Sequence, residues 1–169
     1  METPMISIIR TGLVALLVVT GAYCTTSQAA DSIVGSWRLV SWVEVETETK
    51  SVHGAFGENP TGTLTYTPDG RMSLFIIDPK RKPSSGPKST DAEAVELYRT
   101  MIAYTGSYSI EGNKVTHKIE ISWNQAWTGT NQQRFIEVKD NQLTIKTPPI
   151  ISPISGKESV HTLMWERVK

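Results

Sequence analysis

His117 and Arg134 have the most informative chemistry in this sequence, because each falls on an apolar face of a predicted strand. Alternate residues of a strand face the same side. The companions of His117 on its face are Val115, Ile119, Ile121 and Trp123, and those of Arg134 are Ile136 and Val138. A guanidinium on an apolar face is costly unless it meets a carboxylate of the protein or an anionic group of a ligand. We therefore predict that the two residues form the polar end of an otherwise apolar cavity, with a hydrogen-bonded core histidine and a structural ion pair as the alternatives.

Aromatic residues accompany this pair in the sequence and are predicted to line the same cavity. Aromatic side chains on the inner face of a sheet also form ordinary core, which is the competing interpretation. The predicted ligand-binding residues are His117, Arg134, Tyr104, Tyr108, Trp123, Trp127 and Phe75.

The sequence carries few signs of an enzyme. It contains no Gly-x-Ser-x-Gly, no His-Glu-x-x-His and no glycine-rich phosphate loop, so no cofactor is predicted. His53, His117 and His161 lack the spacing of a metal site, so no metal is predicted, although a fold can bring three distant histidines together. If the chain is an isomerase or cyclase of small apolar substrates, His117 and Tyr108 are the candidate catalytic groups.

Short strands and tight turns make up most of the chain and predict an all-β fold. Pro68-Asp69-Gly70 between residues 62–67 and 71–77 predicts a hairpin, because proline fixes φ and glycine tolerates positive φ. Two more hairpins are predicted to turn at 111–113 and 139–141. The first strand, 36–46, and the last, 159–168, are expected to pair and close an antiparallel barrel of about 8–10 strands, with Trp37 as a plug at one end.

One segment has helical rather than strand periodicity. Thr90 and Glu93 have the spacing of a capping box, which marks the start of a short mid-chain α-helix. The helix is expected either to cover one mouth of the barrel or to pack on its outer wall. Its predicted apolar stripe consists of Ala94, Val95, Tyr98, Met101 and Ile102.

Composition places residues 30–169 in one domain. The chain has 169 residues, and its 17 Lys and Arg balance its 17 Asp and Glu. The one basic cluster, residues 80–82, is bracketed by prolines, so no nucleic acid partner is predicted. Cys24, the only cysteine, precedes this domain, which leaves the domain without a disulfide or a thiolate metal site. The oligomeric state is not indicated.

The first 29 residues are predicted to be a signal peptide. Arg10 precedes an apolar run at 11–23 that is short for a membrane span, and Ser27 and Ala29 supply small residues at the −3 and −1 positions of a cleavage site. We therefore expect export to the periplasm or beyond, without stable membrane insertion after cleavage. The alternatives are an uncleaved anchor and a lipid-modified Cys24, which the bulky Tyr23 disfavours.

Six segments of the chain carry a family resemblance: Gly35-Ser-Trp37, 60–66, Tyr104-x-Gly-x-Tyr108, 112–117, Trp127-x-Gly-Thr-x-x-x-Arg134 and 143–145. With these segments the chain resembles the bacterial and fungal lipocalin-like domain proteins. The resemblance covers essentially all of residues 30–169 and implies a lipocalin-type antiparallel barrel around an apolar cavity. The mid-chain helix and the absence of disulfides differ from the secreted lipocalins.

These observations predict an exported lipocalin-like protein that binds a small apolar or amphipathic molecule, with an acidic head group at Arg134. The first alternative is a cofactor-independent isomerase or cyclase on the same barrel. The second is a module that recognises another protein, which a contiguous exposed apolar patch would favour.

Cleavage of the predicted leader can be tested directly. We expect the mature chain to begin near Ala30, because the small residues of the cleavage site end at Ala29. Mass spectrometry of protein purified from its own host gives the mature N-terminus. An intact Met1 or Met5 start would contradict export, and a diacylated Cys24 would replace secretion with membrane tethering.

Overall fold

The first and last strands of the chain pair with each other and close the sheet into a barrel. The computed structural model describes residues 33–169, so the predicted leader lies outside the described residues. Eight antiparallel strands form the barrel wall, and the short strands β2 and β9 extend it at one end. The strands are β1 (Gly35–Glu46), β2 (Val52–Gly54), β3 (Thr61–Tyr66), β4 (Arg71–Ile77), β5 (Met101–Glu111), β6 (Lys114–Ser122), β7 (Asn131–Lys139), β8 (Gln142–Lys146), β9 (Ile150–Ile151) and β10 (Glu158–Arg167). The predicted closed all-β barrel is confirmed.

The three predicted hairpins are present, and their turn residues explain where the strands reverse. β3 and β4 pair across the Pro68-Asp69-Gly70 turn, where Gly70 has φ 81°. β5 and β6 turn at Gly112, with φ 59°, and β7 and β8 turn at Asp140, with φ 54°. Glycine and aspartate tolerate this left-handed region better than other residues.

Trp37 plugs one end of the barrel, which we call the closed end. Its side chain is fully buried, and its indole N–H donates to the carbonyl of Ile33 at 2.8 Å. The guanidinium of Arg167, the register partner of Trp37 on β10, lies 4.1 Å from the centre of its ring. The three hairpin turns lie at the same end, because each joins strands that run toward the Trp37 end and back.

The opposite, open end carries the longer connections. Helix α1 (Asp91–Arg99) joins β4 to β5 there, and the 3₁₀ helix η1 (Gln125–Trp127) joins β6 to β7. Thr90 and Glu93 form the predicted capping box. The predicted apolar stripe is too long, because the helix ends at Arg99, and Met101 and Ile102 belong to β5.

Helix α1 does not cap the barrel, which corrects the expectation that it covers a mouth. None of its residues is buried, and none lines the interior cavity described below. Tyr98 approaches Trp123 at the rim, with ring centres 6.4 Å apart. No helix among residues 33–169 is long and apolar enough to cross a membrane.

Two irregularities in strand pairing change which residues face inward. The pairing of β1 with β10 shifts between Leu39 and Ser41, so residues beyond Val40 reverse their facing. A second shift, opposite Thr105 and Gly106, places Glu120 and Ile121 both outside. A Cβ at Gly106 would lie 2.0 Å from the backbone oxygen of Lys118, so only glycine allows this close approach.

The plug at the closed end leads to a stability prediction. We expect Trp37→Ala to lower the free energy of unfolding by about 3–5 kcal/mol, since a buried indole leaves a cavity when removed. Phe75→Ala is a matched control, because the Phe75 ring is half-exposed outside the barrel. Urea denaturation of both variants provides the measurement. A loss below about 1 kcal/mol for Trp37→Ala would contradict the plug.

Candidate functional site

The barrel encloses a cavity of about 50 Å³ between the plug and the open end. Most of its wall is apolar, and Trp127 of η1 together with Ile150 and Pro153 forms the part nearest the open end. The volume corresponds to a few water molecules, since one needs roughly 10–15 Å³ on this measure. The remaining lining residues are Trp42, Leu74, Ile76, Ile102, Tyr104, His117, Arg134, Ile145, Thr147, His161, Leu163 and Trp165.

His117 occupies the cavity wall between two tyrosines. The hydroxyl of Tyr66 lies 2.7 Å from its Nε2, and the hydroxyl of Tyr104 lies 3.0 Å from its Nδ1. Burial, reinforced by the positive charge of Arg134, lowers the pKa of His117 from 6.5 to about 3. Burial also raises the pKa of both tyrosines. All three groups are therefore neutral at pH 7.

Arg134 is a buried cation whose polar contacts are neutral. Its guanidinium donates to the backbone carbonyl of Gln133 at 2.7 Å and to the side-chain oxygen of Gln132 at 3.3 Å. It also interacts with the hydroxyl of Tyr104. No carboxylate among residues 33–169 forms an ion pair with it. The sequence predicted that either a protein carboxylate or an anionic ligand group would pair with Arg134, and the first of these is not observed.

Four buried polar residues run side by side across strands at the level of Arg134, and we call them the polar belt: Arg134, Thr147, His161 and Glu44. Arg134 and Thr147 directly adjoin the Phe135–Lys146 pair of β7 and β8. The backbone N–H of Thr147 donates to the carbonyl of His161 at 2.9 Å, and the N–H of His161 donates to the Thr147 hydroxyl at 2.9 Å. Glu44 is the register partner of His161 on β1.

Glu44 balances the other end of the belt. Its burial alone would raise its pKa, but hydrogen bonds from the hydroxyls of Ser155, Ser159 and Ser152 together lower the pKa below the usual range. For His161 the largest effect is burial, which lowers its pKa although Glu44 opposes the shift. The belt thus holds a carboxylate, a neutral imidazole and a cation in that order.

Two buried side chains of the cavity wall each have a ring nitrogen without a hydrogen-bond partner in the protein. The indole Nε1 of Trp165 and the Nε2 of His161 find no hydrogen-bond partner among the described residues. The other ring nitrogen of His161, Nδ1, accepts from the indole N–H of Trp42 at 3.0 Å. The sequence predictions included neither His161 nor Trp165 among the ligand-binding residues.

The structure brings together four of the predicted ligand-binding residues, namely His117, Arg134, Tyr104 and Trp127, on the cavity wall. Three others do not line it, which corrects the expectation for Phe75, Tyr108 and Trp123. Ligand contact by any of the seven stays a prediction.

The three lie at two places outside the cavity. Phe75 lies on the outer face, where it shares a shallow groove with Ile121 and Trp123. Tyr108 lies opposite His117 in the pairing of β5 with β6, donates to the carbonyl of Thr67 at 3.0 Å and packs on Tyr66, whereas the hydroxyls that contact the ring nitrogens of His117 belong to Tyr66 and Tyr104.

The alternation of side chains along β6 also predicted that Ile121 faces inward with His117. In the structure Ile121 is 68% exposed. The irregularity at Glu120 turns it outward. The three histidines do not converge either, because His53 lies on β2 near Glu46, and residues 33–169 contain no group of three side chains suited to hold a metal ion.

Comparison with known proteins identifies a family and a relative. A family model described as a lipocalin-like domain matches residues 34–168. The 4'-hydroxy-3'-methoxypropiophenone carrier protein ppsC of Aspergillus oryzae is 28% identical over 109 residues, which cover 57% of this chain and 96% of that protein.

The depressed pKa of His117 predicts a pH-dependent stability. Below pH 6.5 the unfolded chain binds a proton at this residue that the folded chain does not bind. The free energy of unfolding should therefore fall as the pH drops from 6.5 toward 3, by up to about 1.4 kcal/mol per pH unit for this group. Urea denaturation between pH 7.5 and 5 should show that the free energy of unfolding falls more steeply for the wild type than for His117→Gln, because the variant lacks the His117 contribution. The contribution of His161 is present in both proteins and cancels in the comparison.

NMR provides the second measurement for the same prediction. The imidazole resonances of His117 should not titrate above pH 5, because burial lowers the pKa of this ring to about 3. A His117 titration midpoint between pH 6 and 7 would show that the ring is hydrated.

Proposed function

We propose that this chain, which belongs to the lipocalin-like domain family, binds a small amphipathic molecule inside its barrel and carries an acidic or strongly polar head group of that molecule at Arg134. The fold of this family provides a barrel whose interior can hold a ligand. The chemistry of the ligand follows from the residues that line the cavity.

Arg134 is the observation that carries the proposal. A buried cation without a counter-charge is unfavourable by several kcal/mol, and neutral acceptors compensate only part of that cost. A carboxylate or phenolate placed beside the guanidinium would supply the missing counter-charge, and a carboxylate could accept two parallel hydrogen bonds from it. The apolar lining formed by residues such as Leu74, Ile145 and Leu163 suits the hydrocarbon or aromatic body of the same molecule.

The cavity volume limits the size of the ligand. An apolar cavity of ~150 Å³ holds benzene in an engineered protein, whereas this one measures about 50 Å³. Binding of a ring-sized ligand therefore requires a side chain to move. Trp127 is the best placed to do so, because it is half-buried and lies on the short helix η1 at the open end.

The carrier role of the Aspergillus oryzae relative supports transport or sequestration rather than turnover. That protein carries 4'-hydroxy-3'-methoxypropiophenone, a compound with polar groups on an aromatic body. The combination of an apolar wall with Arg134 fits ligands of this general kind.

Acid-base catalysis of an isomerisation or cyclisation is less well supported. A general acid or base works best with a pKa near the operating pH, and burial moves the pKa of His117 to about 3. Tyr108, the other candidate, is engaged with the carbonyl of Thr67. A protein-recognition role would use the outer groove at Phe75 and Ile121, which is separate from the cavity.

Export completes the proposal. The predicted leader at residues 1–29 supports delivery of the barrel to the periplasm or the medium, where the carrier would meet molecules outside the cytoplasm.

The role of Arg134 can be tested with two ligands of the same shape. Benzoate is an anion and benzamide its neutral counterpart, and the cavity-lining tryptophans Trp42, Trp127 and Trp165 provide a fluorescence signal for binding. We expect Arg134→Met to weaken benzoate by about 1–3 kcal/mol, the range of a charge-assisted hydrogen bond, and to change benzamide much less. Arg134→Lys should lose part of the benzoate affinity, because it keeps the charge without the forked geometry.

Arg71→Met is the matched control, since Arg71 pairs with Glu120 outside the barrel and should affect neither ligand. Equal losses for benzoate and benzamide in Arg134→Met, together with lower thermal stability, would show that Arg134 has a structural role only.

A further inference from the structure

Two N–H groups in the cavity wall lack protein partners, and neither is explained by a head group at Arg134. They belong to His161 and Trp165, which are 2% and 0% exposed and line the same cavity. A buried donor left without an acceptor costs about 1–3 kcal/mol, so native proteins contain few of them. Two such groups around one small cavity therefore require an explanation.

The protonation of His161 follows from its neighbour. An indole N–H is a donor only, and that of Trp42 lies 3.0 Å from Nδ1 of His161. Nδ1 must therefore accept, so the neutral ring carries its proton on Nε2. Burial favours this neutral ring by lowering the pKa of His161. The free atom of His161 is thus a donor, as is Nε1 of Trp165.

Both groups are uncharged donors, which limits what they can bind. They match a ligand atom that accepts hydrogen bonds, and they offer no acceptor to a hydroxyl or ammonium proton. A ketone, ester or ether oxygen meets this requirement without bringing a charge into the cavity. A ligand hydroxyl would meet it only through its oxygen.

We propose that His161 and Trp165 form a second, neutral subsite that accepts a carbonyl or ether oxygen of the ligand. The inference rests on the proposed function and extends it: the ligand class is a small apolar molecule with two separate oxygen groups. One group, acidic or strongly polar, lies at Arg134, and the other, uncharged, lies at the His161 and Trp165 donors.

The test compares acetophenone with ethylbenzene, which share a carbon skeleton and differ at the carbonyl. The measured quantity is the ratio of their dissociation constants, because a general loss of stability or a larger cavity affects both probes alike. We expect Trp165→Phe to reduce the preference for the ketone about three- to tenfold, as for the loss of one neutral hydrogen bond.

A paired variant tests the imidazole. Trp42→Phe with His161→Leu removes both members of their hydrogen bond and leaves no new orphan donor. It should reduce the ketone preference by a similar factor. His161→Gln should retain the preference, because its amide can accept from Trp42 and still donate to the ligand. Trp123→Phe is the matched control, since Trp123 does not line the cavity, and it should leave the ratio unchanged.

NMR of the wild-type protein keeps the test independent of variant folding. The indole N–H resonance of Trp165 should move downfield with acetophenone and not with ethylbenzene. Those of Trp37 and Trp42 already have acceptors and should not move. An unmoved Trp165 resonance, or equal ratios in wild type and both donor-deleting variants, overturns the subsite. If benzoate still binds through Arg134, the proposed function survives, and if no probe binds at all, both fail.

Discussion

Pairing of β10 with β1 is the constraint on which the rest of the structure depends. It closes the sheet, so neither strand is left as an edge. The same pairing sets Arg167 over the ring of Trp37 at one end and Glu44 opposite His161 near the other. The irregularity of this pairing at Val40 exchanges the inward and outward positions of the side chains that follow it in β1. Glu44 therefore faces the interior, where the pattern begun at Trp37 would have placed it outside.

The interior polar groups follow from that turn and are unequally compensated. Glu44 faces serine hydroxyls that hold its pKa low, so it needs no cation in contact. Arg134, three strands away, has only neutral acceptors. His161 lies between them and is kept neutral by burial. The unmatched positive charge therefore stays at Arg134, which is the side of the cavity where the proposed anionic head group would bind.

The sequence predicted those parts of the fold that short-range chemistry determines. Turn residues such as Gly70 and Asp140 located the hairpins, and the capping box located the start of the helix. The alternation of side chains along a strand also placed His117 and Arg134 correctly inside. It succeeded because the strand is regular between each of these residues and its nearest apolar neighbours on the same face. The same rule assigns Phe75 to the outer face with Ser73. The expectation that Phe75 lines the cavity was therefore wrong, and the alternation within its own strand already indicated this.

What the sequence could not predict depends on strand irregularities and on long-range contacts. Nothing near Val40 marks an inserted residue, so the inward carboxylates were missed, and only Gly106 hinted at the close approach that turns Ile121 outward. The unpartnered donor of His161 is harder still, because it exists only through the contact of Nδ1 with Trp42, 119 residues away in sequence. A barrel wall satisfies its backbone groups within the sheet. The side chains left unsatisfied inside it are therefore the groups with hydrogen-bonding capacity to spare for a ligand, and their positions depend on contacts that the local sequence does not contain.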